Sequence, residues 1–257
     1  MSLLTVNGIE LPISRDSVKR GEIEIGSSGR AYSGAAWKSV RARKKTLGLK
    51  TAPMALADCD AWAALLNGQA VNWDFESDTY SLQGHAATIV GSAGRNSAVK
   101  KFGSYSLNVP NNATVGVQHS ASWTLGFGSV WTVAYWCNRV GVWSHVVRAS
   151  DGSEYVNGVA AAYSDHVLIA GGVLTAAEDN VASVYIDDLF ALPAVVPASW
   201  PAAMCAHGAQ LLASPSFSVA GDLLGSTLTM QARAVEREPL ETAAGVLWRL
   251  GVEMEEA

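Results

Sequence analysis

The sequence predicts an all-β protein: a split β-sandwich or barrel with one short helix, interrupted by an inserted two-sheet sandwich of jelly-roll type. Three observations carry this. Runs of strand length with alternating apolar and polar residues recur along almost all of the 257 residues. A single segment has convincing helical spacing. The alternating pattern of the first segment also resumes after an interruption, so the chain's two ends belong together.

The composition agrees. Nine tryptophans and 24 glycines with only 16% charged residues suit a sheet-rich, interface-rich protein better than a helical enzyme. A chain of this length buries a core without a metal or disulfide staple. Cys59, Cys137 and Cys205 are odd in number, far apart and outside any CxxC, so they read as buried hydrophobes made in a reducing compartment. The opening MSLLTVNGIELPISRD has no basic region followed by an apolar run. No stretch reaches the roughly 18 apolar residues of a membrane span. The expectation is a soluble product of cytosolic synthesis that does not insert in a membrane.

Taken in order, GEIEIG sets Ile23 and Ile25 against Glu22 and Glu24, the alternation of a half-buried strand. After the turn residues of SSGRAYSG, Ala35 to Thr51 predicts one long strand or a bent pair. Its basic cluster, Arg41, Arg43, Lys44 and Lys45, protects a strand from edge-to-edge pairing or binds a polyanion. No aromatics interleave with it as a nucleic-acid stacking platform requires, so nucleic-acid recognition is not expected. Pro53, the apolar positions Leu56, Cys59, Trp62 or Ala63, and Leu66, and the stop signal Asn67-Gly68 predict a helix of about three turns. From Val71 to about Pro193, eight or nine short strands predict a two-sheet sandwich. In the longest, tryptophan falls on both faces, Trp131 on one and Trp136 on the other, which predicts a central strand covered on both sides. PAVVPASWPAAM reads as turns. STLTMQARAVE and VLWRLGVEMEEA then alternate again, and the last must pair with the residues before Gly68.

Charge is segregated. Ten Lys and Arg face four Asp and Glu through Lys50, whereas six Glu face two Arg from Val235 onward. Opposite charges fix register and discourage wrong partners, within a subunit or between subunits. Arg41, Arg43, Lys44, Lys45, Glu253, Glu255 and Glu256 are therefore the candidate assembly residues.

Several of these segments resemble known families. WSHVVRASDGSEYVNG (Trp143 to Gly158), KFGSYSL, YIDDLFAL and WDFESDTYSLQG resemble, in order, the strands of LamG-like jelly rolls of the concanavalin A type. VNGIEL and LWRLGVEMEE in the flanking segments resemble the N-terminal domain of distal tail proteins and related tail-tip hub proteins of long-tailed bacteriophages. The resemblance implies a split tail-hub-like domain over 1–70 and 200–257, with a LamG-like insertion over 71–199. It further implies a virion protein of the distal tail or baseplate, made in the bacterial cytoplasm. That protein would form a homo-oligomeric ring, six copies favoured over three, in contact with other tail proteins such as tube and hub.

The chemistry expected is sparse. Glycoside hydrolysis needs two facing carboxylates, and the ExDxE strand of retaining concanavalin A-like enzymes is missing. Asp74, Glu76 and Asp78 alternate in WDFESD. Their readings, in order, are a solvated or turn-forming segment, a calcium site, and catalysis. Asp187 and Asp188 lie in the closing strand and read first as structural, one hydrogen-bonding backbone in the turn network and the other facing solvent; in some relatives of the fold an equivalent acid helps bind calcium. The dispersed histidines, with His145 in the Trp-x-His strand, read as packing or surface residues. No nucleophile elbow, Walker loop or dinucleotide fingerprint occurs. Trp123, Phe127 and Trp131 either cap the sandwich or present rings to a sugar or a protein partner. The expectation is a non-catalytic tail component without a cofactor, calcium being the one candidate ion. A carbohydrate-binding adsorption module for host surface glycan is the alternative, and a glycan hydrolase comes third.

Overall fold

The structure is a computed structural model of the chain. It describes all residues except 1–2, 15–16, 31–32, 34–35, 77–80, 83–84, 112–118, 164–166, 178–181, 208–216, 222–223, 225 and 244. In chain order the elements are β1 (Leu3–Val6), β2 (Ile9–Pro12), β3 (Lys19–Arg30), β4 (Ala36–Lys50), α1 (Leu56–Leu66), β5 (Val71–Trp73), β6 (Ser81–Leu82), β7 (His85–Val90), β8 (Gly94–Asn96), β9 (Ser106–Val109) and β10 (Ser120–Thr124). They continue with β11 (Thr132–Asn138), β12 (Trp143–Ala149), β13 (Glu154–Val156), β14 (Val159–Ala160), β15 (Val167–Ala170), β16 (Val173–Ala177), β17 (Val184–Leu192), α2 (Trp200–His207), β18 (Phe217–Gly221), β19 (Leu228–Thr242) and β20 (Gly245–Glu256). The fold is all-β, built from antiparallel sheets.

The chain divides into two compact units, Met1–Cys59 with Pro215–Ala257, and Asp60–Ser214. The second unit begins inside α1 and includes α2, whereas the sequence set its limits at 71 and 199.

The first unit is one seven-stranded sheet in the order β2-β1-β18-β19-β20-β4-β3. Asn7 and Gly8 take φ of 50° and 82°, the left-handed pair that a two-residue hairpin between right-twisted strands requires. The alternation read in the final strand becomes packing: Leu250, Val252 and Met254 are buried, and Val252 and Met254 pair in register with the buried Leu49 and Leu47 of β4.

The second unit is a sandwich of an eight-stranded sheet, β14-β13-β12-β11-β17-β9-β8 with β5 added on β17, and a five-stranded sheet, β15-β16-β10-β7-β6. Its core joins Val133, Tyr135 and Cys137 of β11 to Trp123 of β10 and Leu174 of β16. All seven residues of β11 are buried, so the strand is covered on both faces, although Trp131 precedes it and Trp136 is the tryptophan it carries. On its outer face Thr132 lies under the segment that follows β17, donating to the Ala194 carbonyl at 2.7 Å and accepting from the Val196 amide, whereas Trp136 lies edge to face with Phe102 at 5.9 Å.

Helix α1 stops as the sequence predicts. Gly68, at φ 68°, lets its amide reach the Leu65 carbonyl while the Gln69 amide reaches that of Ala64, both at 3.0 Å. Helix α2 corrects the reading of PAVVPASWPAAM as turns alone. At eight residues it is too short to print a helical period, although a proline in the first turn is compatible with a helix. Trp200 anchors it edge to face on Trp62 at 4.7 Å. A Cβ on Gly158 would stand 2.8 Å from the Ala202 Cα, so only glycine permits this approach.

Candidate functional site

The most distinctive surface of the first unit is a pair of long hairpins. β3 pairs with β4, and β19 with β20, but the two hairpins meet only where Thr46–Lys50 lies beside Gly251–Glu255. Outside that junction β4 from Ala36 to Lys45 has β3 as its single ladder partner. An isolated two-stranded ribbon is marginal in water.

The first hairpin is two-faced. Ile23 and Ile25 stand opposite Lys44 and Ala42 on one face, exposed by 38% and 42%. On the other face Glu24 takes ion pairs from Lys38 and from Arg43 at 3.2 Å, with Glu22 at 4.0 Å from Arg43. β3 is also an open edge. The Lys50 amide and carbonyl bond to Ser17 and Ser14, whereas the Lys45 amide points the other way, to Glu256 at 3.1 Å. Period-two alternation then turns the peptide groups of Arg20, Glu22 and Glu24 away from β4. β19, also unpaired along part of one edge, carries Pro239, which lacks the donor for strand addition.

Charge separates along these hairpins. β3 and β4 carry nine Lys and Arg against Glu22 and Glu24, whereas β19 and β20 carry six Glu against Arg233, Arg237 and Arg249. The candidate assembly residues are therefore partly used within the chain. Glu255 stands opposite Thr46 and 3.4 Å from Arg233, Glu256 accepts from the Lys45 amide, and Glu253 stands opposite Gly48. Glu238 ties the junction together, 2.7 Å from Lys50 and 2.6 Å from Arg249, and those cations hold its carboxyl below the usual range. Arg41 occupies the bulge where the β3–β4 register slips, and Lys44 lies on the exposed apolar face.

In the second unit the acidic candidates act on backbone. Glu76 accepts from the Ser104 and Tyr105 amides at 2.7 and 2.9 Å, and Asp74 from the Glu76 amide at 3.0 Å. Asp187, 1% exposed, accepts from the Lys101, Phe102 and Asp188 amides at 2.8 to 3.0 Å. Two carboxylates thus clamp the 101–105 loop, whose Gly103 at φ 55° would drive a Cβ to 2.3 Å from Glu76 Oε1. Burial pushes the Asp187 carboxyl up to about 6 against the pull of its three amide bonds, with the nearby Glu76 charge adding to the rise. Glu76 Oε1 and both oxygens of Asp187 thus hold backbone amides, the structural role that the sequence reading put first for these acids. Asp188 is buried at φ 48°, and Asp78 lies outside the described residues. Among the described residues no three His, Cys, Asp or Glu are grouped to hold a metal ion.

Of the aromatic candidates, Trp123 is corrected. Trp123 is fully buried, edge to face with Trp73 at 5.3 Å, because β10 turns it into the sandwich. Phe127 and Trp131 are partly buried against the same core. No sugar reaches Trp123.

The outer face of the eight-stranded sheet holds what the sequence reading missed. The ladder sets Trp143, Asn138, Tyr185 and Asn108 side by side on four adjacent strands. Trp143 and Tyr185 are half-buried, Asn138 between them is 4% exposed, and Asn108 Oδ1 is buried without a partner among the described residues. The Gly141 amide donates to Asn138 Oδ1 at 2.8 Å, which fixes that amide's orientation. The next row inward is His145, Trp136 and Asp187. His145 is buried with neither ring nitrogen bonded among the described residues, and burial lowers its pKa to about 4. Strand parity in Trp-x-His was the one available signal for the outer row; the identity of the neighbouring strands was not written in the sequence.

No family model matches the chain, and no curated protein matches it. Among solved structures the chain is similar to the botulinum neurotoxin type G receptor binding domain, with 7% identity over 68% of each chain and a TM-score of 0.37. Likeness at that level bears on neither kinship nor function.

Proposed function

We propose that this chain is a non-catalytic structural component of the tail tip of a long-tailed bacteriophage. The first unit assembles copies into a closed ring, and the second, a LamG-like sandwich, is displayed by it. The observation that carries the assembly reading is the pair of hairpins of opposite charge. One has an exposed apolar face and an open twelve-residue edge, features that a lone subunit leaves unpartnered. A basic hairpin meeting an acidic one is a head-to-tail contact, and such contacts close into rings when the rotation permits. The tail-tip assignment adds the resemblance of VNGIEL and LWRLGVEMEE to distal tail proteins.

The test is native mass at two salt concentrations, with electron microscopy of the same sample. The expected result is a ring, of six copies in preference to three, that loosens as salt screens the hairpins. A monomer at every concentration and salt would overturn the reading.

A further inference from the structure

The base of the β3 edge carries an inference separate from ring closure. We propose that residues 19–25 take up an extended segment of a partner protein as an added strand, in which acidic and apolar residues alternate. Three observations select that partner. First, the edge is open. The Arg20, Glu22 and Glu24 peptide groups face away from β4, and residues 19–26 are all exposed. Proteins blunt such edges with proline or cover them. β19 does so with Pro239, and β2 is covered where the Pro12 carbonyl accepts from the Ala52 amide and Ile13 bridges to Thr51. β3 has neither device in its twelve residues.

Second, clefts border that edge on both faces of the sheet. Residues paired in register share a face, so Arg20, Glu22, Lys45 and Leu47 lie on one, where with Leu224 and Leu228 they line a cleft of about 380 Å³. Lys19, Gly21, Thr46 and Gly48 lie on the other, where with Ile23 they line a cleft of about 300 Å³. The side chains of an added strand point to the two faces in turn, so each cleft receives every second one, and main-chain bonds supply the affinity. Gly21 borders both clefts without a side chain of its own to fill them.

Third, the two faces ask for different side chains. Glu22 and Glu24 are already met by Arg43 and Lys38, whereas the exposed Arg20 and Lys45 side chains hold no ion pair among the described residues. That face takes a carboxylate. The other presents, beyond Lys19, Ile23 and Ile25, exposed by 38% and 42%, and takes an apolar side chain. A second copy of β3 meets these demands poorly: antiparallel registers that bring its isoleucines together set glutamate against glutamate or Arg20 against Arg30. A cationic segment would meet Arg20 and Lys45, and a proline-bearing one would lack donors for the edge.

The experiment adds fluorescein-labelled peptides of five Glu-Val repeats or five Lys-Val repeats to the full chain and reads anisotropy, with hydrogen–deuterium exchange over residues 19–26. The expected result is saturable binding of the Glu-Val peptide and slowed exchange there, with the Lys-Val peptide about ten-fold weaker or more. In an antiparallel addition the carboxylate-bearing residues are those whose amides face β3. N-methylation of the Glu amides should therefore weaken binding about ten-fold or more, while N-methylation of the Val amides leaves it within about three-fold. Glu22→Pro, which removes one outward donor and spares the β3–β4 ladder, should also weaken it about ten-fold or more, and Glu22→Ala, which keeps that donor, stays within about three-fold. Circular dichroism confirms that both variants are folded. The proposal is overturned if neither peptide slows exchange at 19–26, if Lys-Val binds as tightly as Glu-Val, or if the Glu-methylated peptide or the Glu22→Pro variant binds as the parent does. It also fails if that segment is protected without peptide and Glu22→Pro lowers the native mass, since a second copy then occupies the edge. Native mass keeps the two readings apart: peptide addition to a monomer supports this one and removes the ring, and a ring that takes no peptide does the reverse.

Discussion

Asp187 and His145 lie two strands apart in one buried row, and their titrations pull stability in opposite directions. Burial raises the Asp187 pKa from 3.8 to about 6. Its contribution is therefore fully present below pH 3.8 and is lost as pH rises through 6. For His145, lowered from 6.5 to about 4, the unfolded chain takes the proton first. Its contribution is present above pH 6.5 and is lost as pH falls toward 4. Each shift is about two units, and at 1.36 kcal/mol per unit each swing is on the order of 3 kcal/mol. In the parent the two slopes largely cancel between pH 4 and 6.5. Asp187→Asn removes one of them, so the stability of the variant relative to the parent should rise by about 3 kcal/mol from pH 4 to pH 7, or about 6–12 °C in Tm for a chain of this size. The lost or rearranged amide bonds shift the variant by an amount independent of pH, so the slope is the diagnostic. Calorimetry at half-unit steps of pH measures it. Parallel Tm curves for parent and Asp187→Asn from pH 4 to 7 would refute the assignment of Asp187 as a carboxylate held against its burial.

Four further outcomes are expected. His145→Phe should lose less stability than the parent on acidification from pH 6.5 to 4, by up to about 3 kcal/mol, because no buried imidazole then remains to be charged; thermal melts across that range read it. Gly103→Ala should cost about 2–3 kcal/mol in denaturant unfolding, since it strains a left-handed residue and pushes Glu76 off two amides. Trp123→Ala should cost about 3–5 kcal/mol and broaden the melt, whereas Trp143→Ala on the outer face should cost far less. Reversing Lys44 and Lys45 to Glu should shift the native mass toward monomer while circular dichroism stays unchanged, and an unaltered ring would remove the basic hairpin from the interface.

That the last strand pairs with the segment before the helix was inferred from its need for a partner, whereas the alternation of polar and apolar residues determined that the chain is all-β and the Asn67-Gly68 signal that the helix stops there. These follow from local rules, because strand periodicity, an Asn-Gly turn and a glycine cap act over a few residues. The same local rules failed for α2, which is too short to show a period and is held by Trp62 and by the space above Gly158. They failed also at the sites. Trp123 and Trp143 both sit on alternating strands, and only the stacking of the two sheets decides that one ring is core and the other surface. That one of Asp187 and Asp188 bonds backbone was expected from the sequence, but which of them and which loop it holds, residues 101–105, was decided by the tertiary structure. The outer aromatic row exists only because β12, β11, β17 and β9 are neighbours in the sheet while distant in the chain. A sequence records which face each residue takes along its own strand, but which strands lie side by side is fixed by long-range pairing and the packing of the core.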